Sequence, residues 1–134
     1  MTLFESIAAI AIISTVVVFA APSLTRAREN HQLEAVARQV AGKMHWTRIK
    51  AISRNRDCRI RVDTPLTYLI ECQYPEWRTD ESVTLPRGFR ITATASPEFH
   101  IRGNVAPTAT LTVWNIRSKS KRVVVNITGR VRVE

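Results

Sequence analysis

The side chains best placed to do chemistry are cationic and crowd the end of the chain. Arg130 and Arg132 stand two apart behind Gly129. Residues at that spacing on an extended strand share a face, with Val131 and Val133 turned to the other. The pair predicts a phosphate clamp, because guanidinium binds phosphate in bidentate fashion. Upstream, Arg117, Lys119, Lys121 and Arg122 lie in a polar, flexible-looking stretch that would neutralise a nucleic-acid backbone without reading its bases. From His100 onward, seven Lys or Arg residues, Arg102 included, face Glu134 as the single acidic side chain. The whole sequence carries 20 Lys and Arg against 11 Asp and Glu, a formal charge of +9, which favours nucleic acid or an anionic membrane surface as partner. Two readings of the ending stay open: a DNA-binding edge, or a closing strand with merely solvated arginines. Trp114 likewise either stacks on a splayed base or fills the core.

The sequence has two cysteines, Cys58 and Cys72. Cys58-Arg59-Ile60-Arg61-Val62 alternates, Asp63-Thr64-Pro65 signals a turn, and Tyr68-Leu69-Ile70-Glu71-Cys72 returns. A hairpin centred on Pro65 sets Cys58 opposite Cys72, Ile60 opposite Ile70, Val62 opposite Tyr68 and Arg59 opposite Glu71. That register gathers Cys, Ile, Val and Tyr on one face and the charge pair on the other. Cysteines so opposed either form a disulfide or remain two buried thiols. They have no companion His or Cys pair at zinc spacing, and His31, His45 and His100 are scattered. No paired carboxylates with a pocket signature, Ser/His/Asp set or phosphate loop occurs, so the sequence predicts a non-enzyme with no cofactor or metal.

These groups need a scaffold. A chain of 134 residues makes one domain by the usual span of about 100–200 residues. With 45% hydrophobic and 23% charged residues, disordered and low-complexity architectures are excluded. Apolar residues concentrate in positions 1–21, where Glu5 is the sole charge. About 20 residues at 1.5 Å each cross a hydrocarbon core of ~30 Å. The segment is a transmembrane anchor or a signal peptide ending at Phe19-Ala20-Ala21; Glu5 and the lack of a basic start argue against the latter. A carboxylate at that depth costs on the order of 2.5–3.5 kcal/mol and calls for a partner, the nearest being the α-amino group of Met1, its own or a neighbour's. Pro22 should kink or loosen the helix. Beyond it, Leu33, Ala37, Val40, Met44, Thr47 and Ala51 recur at helical spacing, widened by Val36, Ile49 and Ile52. An amphipathic half thus covers residues 22–54, with Met44, His45 and Trp46 as packing and surface residues. Strands are expected at residues 82–85, 89–95, 99–101, 108–114 and 122–127, with Val131 and Val133 last. The fold expected is α+β: a long N-terminal α-helix over residues 1–54, packed on a small antiparallel β-sheet head of two sheets over residues 55–134.

Met1-Thr2-Leu3-Phe4-Glu5-Ser6, the Ile/Ala/Val run and Ala21-Pro22-Ser23-Leu24 resemble the mature N-terminus of type IV pilins and type II secretion pseudopilins. In the head, Leu85-Pro86-Arg87-Gly88, Phe99-His100-Ile101-Arg102-Gly103, Thr110-Leu111-Thr112-Val113 and the run from Val123 to Arg132 resemble the minor pseudopilin H/FimT group. Residues 73–81 have no counterpart there. The resemblance implies a pilin-like fold, processing by a prepilin peptidase, N-methylation, and Glu5 neutralising the amino terminus of an adjacent subunit. Met1 is then either the processed first residue or an initiator. It implies a single-pass inner-membrane protein with a periplasmic head, which joins other pilin or pseudopilin subunits in a filament or at the cell surface. An oxidising compartment of that kind suits a Cys58–Cys72 disulfide. The function implied is that of a type IV pilus minor pilin whose Gly129-Arg130-Val131-Arg132 binds double-stranded DNA in natural transformation. The alternative is a type II secretion minor pseudopilin with a structural filament-tip role and no DNA contact.

Overall fold

The structure is a computed structural model that describes residues 2–134; the expectation for Met1 lies outside the described residues. One helix, α1 (Leu3–Arg54), precedes eight strands: β1 (Cys58–Thr64), β2 (Thr67–Tyr74), β3 (Glu76–Thr84), β4 (Arg90–Ala93), β5 (Glu98–Phe99), β6 (Ala109–Trp114), β7 (Ser120–Val125) and β8 (Val131–Val133). The chain divides into two compact units between Gln32 and Leu33.

In the first unit, Thr2 and Glu5 close a reciprocal cap. The Glu5 backbone N–H donates to Thr2 Oγ1, and Glu5 Oε2 accepts from the Thr2 N–H at 2.9 Å, so first-turn donors that a helix leaves orphaned are satisfied. The helix is long and apolar enough to cross a membrane, and the large apolar side chains from Leu3 to Leu24 are exposed. Thr15 and Thr25 donate their hydroxyls to the carbonyls of Ala11 and Ala21, which hides polar groups that lipid would not solvate. Pro22 sits inside a continuous helix.

The second unit begins with the rest of α1, whose residues Leu33, Val36, Ala37, Val40, Ala41, Met44, Thr47 and Ala51 are buried. The expected stripe is the packed one, but Ile49 and Ile52 are 56% and 47% exposed. Ile49 stands two residues past Thr47, about 200° around a helix of 3.6 residues per turn. The strands form two four-stranded antiparallel sheets, ordered β3-β2-β1-β5 and β4-β6-β7-β8. Their inner faces join α1 in one core around Ile60, Ile70, Phe99, Leu111, Val113 and Val123. The β1–β2 register is Cys58↔Cys72, Arg59↔Glu71, Ile60↔Ile70 and Val62↔Tyr68, and a disulfide joins Cys58 to Cys72.

Strand β3 covers most of residues 73–81, where the sequence offered no strand signal. A bulge leaves Asp80 between Glu81, which opposes Ile70, and Thr79, which opposes Glu71. Such a bulge re-aims a side chain: Asp80 meets Lys50 at 2.7 Å and Arg54 at 3.1 Å, beside the Lys43–Glu81 pair. This edge is tied to α1 by charge rather than by an apolar stripe.

Candidate functional site

The candidate cations ride on β7, β8 and the turns that flank β7. Residues 115–119 join β6 to β7 in a pinned turn rather than a flexible loop. Asn115 Oδ1 accepts from the backbone N–H groups of Arg117 and Lys119, both at 2.9 Å, and Ser118 adopts φ 58°. Residues 126–130 join β7 to β8 by the same device. Asn126 Oδ1 accepts from the Arg130 N–H at 2.9 Å, and Gly129 adopts φ 80°. Both turns read Asn-Ile, then a left-handed fourth residue, then a cation. An Asx side chain that caps its own backbone explains the shared sequence.

These turns lie at opposite ends of β7, a strand of six residues, hence about 20 Å apart at ~3.3 Å per residue. The structure therefore does not gather the six candidate cations in one spot. Arg117 and Lys119 occupy one end and Arg130 the other. Arg122 and Arg132 share the outward face of the sheet: Arg132 opposes Val124, two residues from Arg122 on β7. Lys121 has the parity of the buried Val123 and Val125 and is turned from that face. Trp114 is half-buried outside the core, its indole N–H donating to Thr92 Oγ1 at 3.3 Å.

Gly129 has a packing role that its motif did not disclose. A Cβ there would lie 2.3 Å from the Gly103 carbonyl oxygen and 2.8 Å from Arg48 Nε, so the turn at residues 126–130 sits directly on the one around Gly103. Arg48, on α1, clasps both: Nε donates to Gly103 O at 2.9 Å and Nη2 to Thr128 O at 3.3 Å. Nothing in the sequence singled out Arg48, and only the glycine in each turn hinted at a close approach. The contact brings Arg102 beside the Gly129-Arg130 segment.

Some cations elsewhere in the head are paired with acids. On the first sheet Glu71, its side chain 7% exposed, takes Arg59 at 2.7 Å and Arg61 at 3.1 Å. Burial pushes the Glu71 carboxyl up, but the hydrogen bonds and charges of the two arginines outweigh it and hold the group below its ordinary range. Lys43, Lys50 and Arg54 pair with acids as above, and Arg122 meets Glu134 at 3.2 Å. Arg102, Arg130 and Arg132 are exposed, and among the described residues none of them has a carboxylate partner.

One group could hold a metal ion among the described residues: Asp57, Glu98 and His100, whose ligand atoms lie within 4.8 Å of one another. His100 Nδ1 stands 3.1 Å from Asp57, whose other oxygen accepts the Ile101 N–H. That is the geometry of a loop fastening. Tyr68 is buried with its hydroxyl unpartnered, and burial, aided by the Glu81 charge, pushes its phenol up to about 12.

Neither a family model nor a curated protein sequence matches this chain. Solved structures do. The minor pseudopilin EpsH of the Vibrio cholerae type 2 secretion system superposes with a TM-score of 0.66 at 15% identity, over 77% of this chain and 96% of its own. The type IV minor pilin FimU of Pseudomonas aeruginosa gives 0.64 at 14% identity, over 79% of this chain and 90% of its own. With its long apolar N-terminal helix and two antiparallel sheets, the chain has the fold of these minor pseudopilins and minor pilins.

Proposed function

We propose that the chain is a minor pilin of a type IV pilus that binds double-stranded DNA non-specifically through phosphate contacts during DNA uptake. The observation that carries this reading is a group of exposed arginines without carboxylate partners: Arg102 and Arg130 at the two turns that meet under Arg48, and Arg132 on the adjoining β8. Phosphate is the anion that guanidinium fits, and three such groups lie along one end of the second sheet. The apolar segment anchors the protein in the inner membrane with its head in the periplasm. After prepilin peptidase processing it enters a filament with other pilin subunits. There Glu5 exchanges its Thr2 cap for the amino terminus of a neighbour, and Pro22 marks the membrane exit.

The fold is equally that of EpsH, so the second reading is a secretion pseudopilin that makes no DNA contact. The discriminating experiment is fluorescence anisotropy of a labelled 30-base-pair duplex with the full chain in detergent. DNA binding that weakens at least tenfold in the Arg130→Ala/Arg132→Ala variant supports the pilus reading. Absence of binding by the parent chain at low salt supports the other.

A further inference from the structure

The outward face of the second sheet runs from the Arg130 end, past Arg132 and Arg122, to a cleft at the other end. Its volume is about 380 Å³, and it is lined by Pro65, Arg90, Thr92, Trp114 and Ser118. That is within the roughly 300–1,000 Å³ of small-molecule clefts. The cleft is built from the sheet itself. Arg90 on β4 opposes Trp114 on β6, so the two residues are cross-strand neighbours, and both line the cleft. The Trp114 N–H is spent on Thr92, which fixes the ring. Ser118 is offered by the pinned turn, and Pro65 is held over β4 by the Ile91 N–H, which donates to its carbonyl at 2.8 Å.

We propose that this cleft is a stacking subsite for one unpaired nucleobase, Trp114 supplying the aromatic platform and Arg90 contacting the phosphate attached to that nucleotide. The inference rests on the DNA reading above and adds a substrate preference to it. An aromatic ring beside a cation is the combination that binds single-stranded nucleic acid without sequence preference. The span from Arg130 to the cleft, about 20 Å, matches about six base steps of 3.4 Å. A duplex lying along the arginines thus delivers its end to Trp114, and only an end with an unpaired base has a face to stack.

The test compares a blunt 20-base-pair duplex with the same duplex bearing a two-nucleotide overhang, using the full chain in detergent. The parent should bind the overhang roughly tenfold more tightly, the size of one stacked base. Trp114→Val, which keeps a strand-forming residue, should abolish that preference and leave blunt-duplex affinity unchanged. Arg130→Ala/Arg132→Ala should weaken both substrates alike. An absent preference in the parent, or one that survives Trp114→Val, overturns the subsite. Should that variant fail to fold, the indole resonance of Trp114 in ¹⁵N-tryptophan-labelled parent, assigned with Trp114→Phe, gives the answer. It should shift on adding the overhang strand alone and stay fixed on adding blunt duplex. A shift with the strand in a protein that binds no duplex supports the cleft and sinks the duplex reading. Duplex binding with an indole unmoved by the strand sinks the cleft and spares the duplex reading.

Discussion

Replacing Gly129 by alanine tests the contact that presents the arginine pair. The backbone there has φ 80°, and the new Cβ would fall 2.3 Å from the Gly103 carbonyl oxygen and 2.8 Å from Arg48 Nε. The left-handed conformation alone costs an L-residue about 1–2 kcal/mol. The carbonyl in the way is backbone and must shift, breaking its hydrogen bond from Arg48, and a bond to a charged group is worth roughly 1.5–3 kcal/mol. The expected destabilisation is therefore about 3 kcal/mol. Gly42→Ala is the control, because that glycine lies in α1 with nothing within 4 Å of the added atom; it should stabilise by roughly 0.5–1 kcal/mol. Urea unfolding of the full chain in detergent, followed by near-UV circular dichroism, reads both. Arg48→Ala should destabilise by itself, and the Arg48→Ala/Gly129→Ala double variant should lose less than the sum of the single losses, since both break the same bond. A Gly129→Ala protein within about 0.5 kcal/mol of the parent would refute the clasp.

The Glu71 carboxyl is held below its unfolded value of 4.5, so its stabilisation is full above that pH and is lost as pH falls through the folded value. Glu71→Gln should accordingly destabilise most near neutrality, with the difference from the parent closing under acid in pH-dependent urea midpoints. Tyr68 has the opposite sense: its phenol is raised from 10 to about 12, and stability should decline as pH rises across that interval, a decline that Tyr68→Phe removes. Reducing the Cys58–Cys72 bridge opens a loop whose ends are 14 residues apart and should cost about 3 kcal/mol, measured by unfolding with and without reductant. Glu5→Gln keeps a side chain able to cap Thr2 while removing the charge. The chain should remain membrane-inserted yet fail to co-purify with filaments, and normal incorporation would contradict the assembly role.

What the sequence disclosed was governed by local pattern. The hairpin register could be read because Cys58, Ile60, Val62, Tyr68, Ile70 and Cys72 alternate about a single turn, and a one-residue slip would expose all of them. The buried stripe from Leu33 to Ala51 was readable for the same reason at helical period. Strand β3 was hidden because Asp80 and Glu81 fasten it through ion pairs with α1 that no periodicity announces. The candidate site divided likewise. The arginines were visible as composition, but their distribution depended on two Asn-capped turns whose shared form went unseen, and Lys121 was grouped with Arg122 although adjacent strand residues face opposite ways. Arg48 was out of reach, since its partners are carbonyls distant in sequence.

The central claim is that Arg130 and Arg132 each neutralise a DNA phosphate, and the salt dependence of duplex affinity tests it most directly. Each phosphate contact contributes about 0.9 to the slope of log K against log salt concentration. Measured from 50 to 200 mM salt on the full chain in detergent, Arg130→Ala/Arg132→Ala should lower the magnitude of that slope by about 1.8 and weaken binding of unrelated duplex sequences alike. An unchanged slope, with affinity equal to that of the parent, would contradict the account.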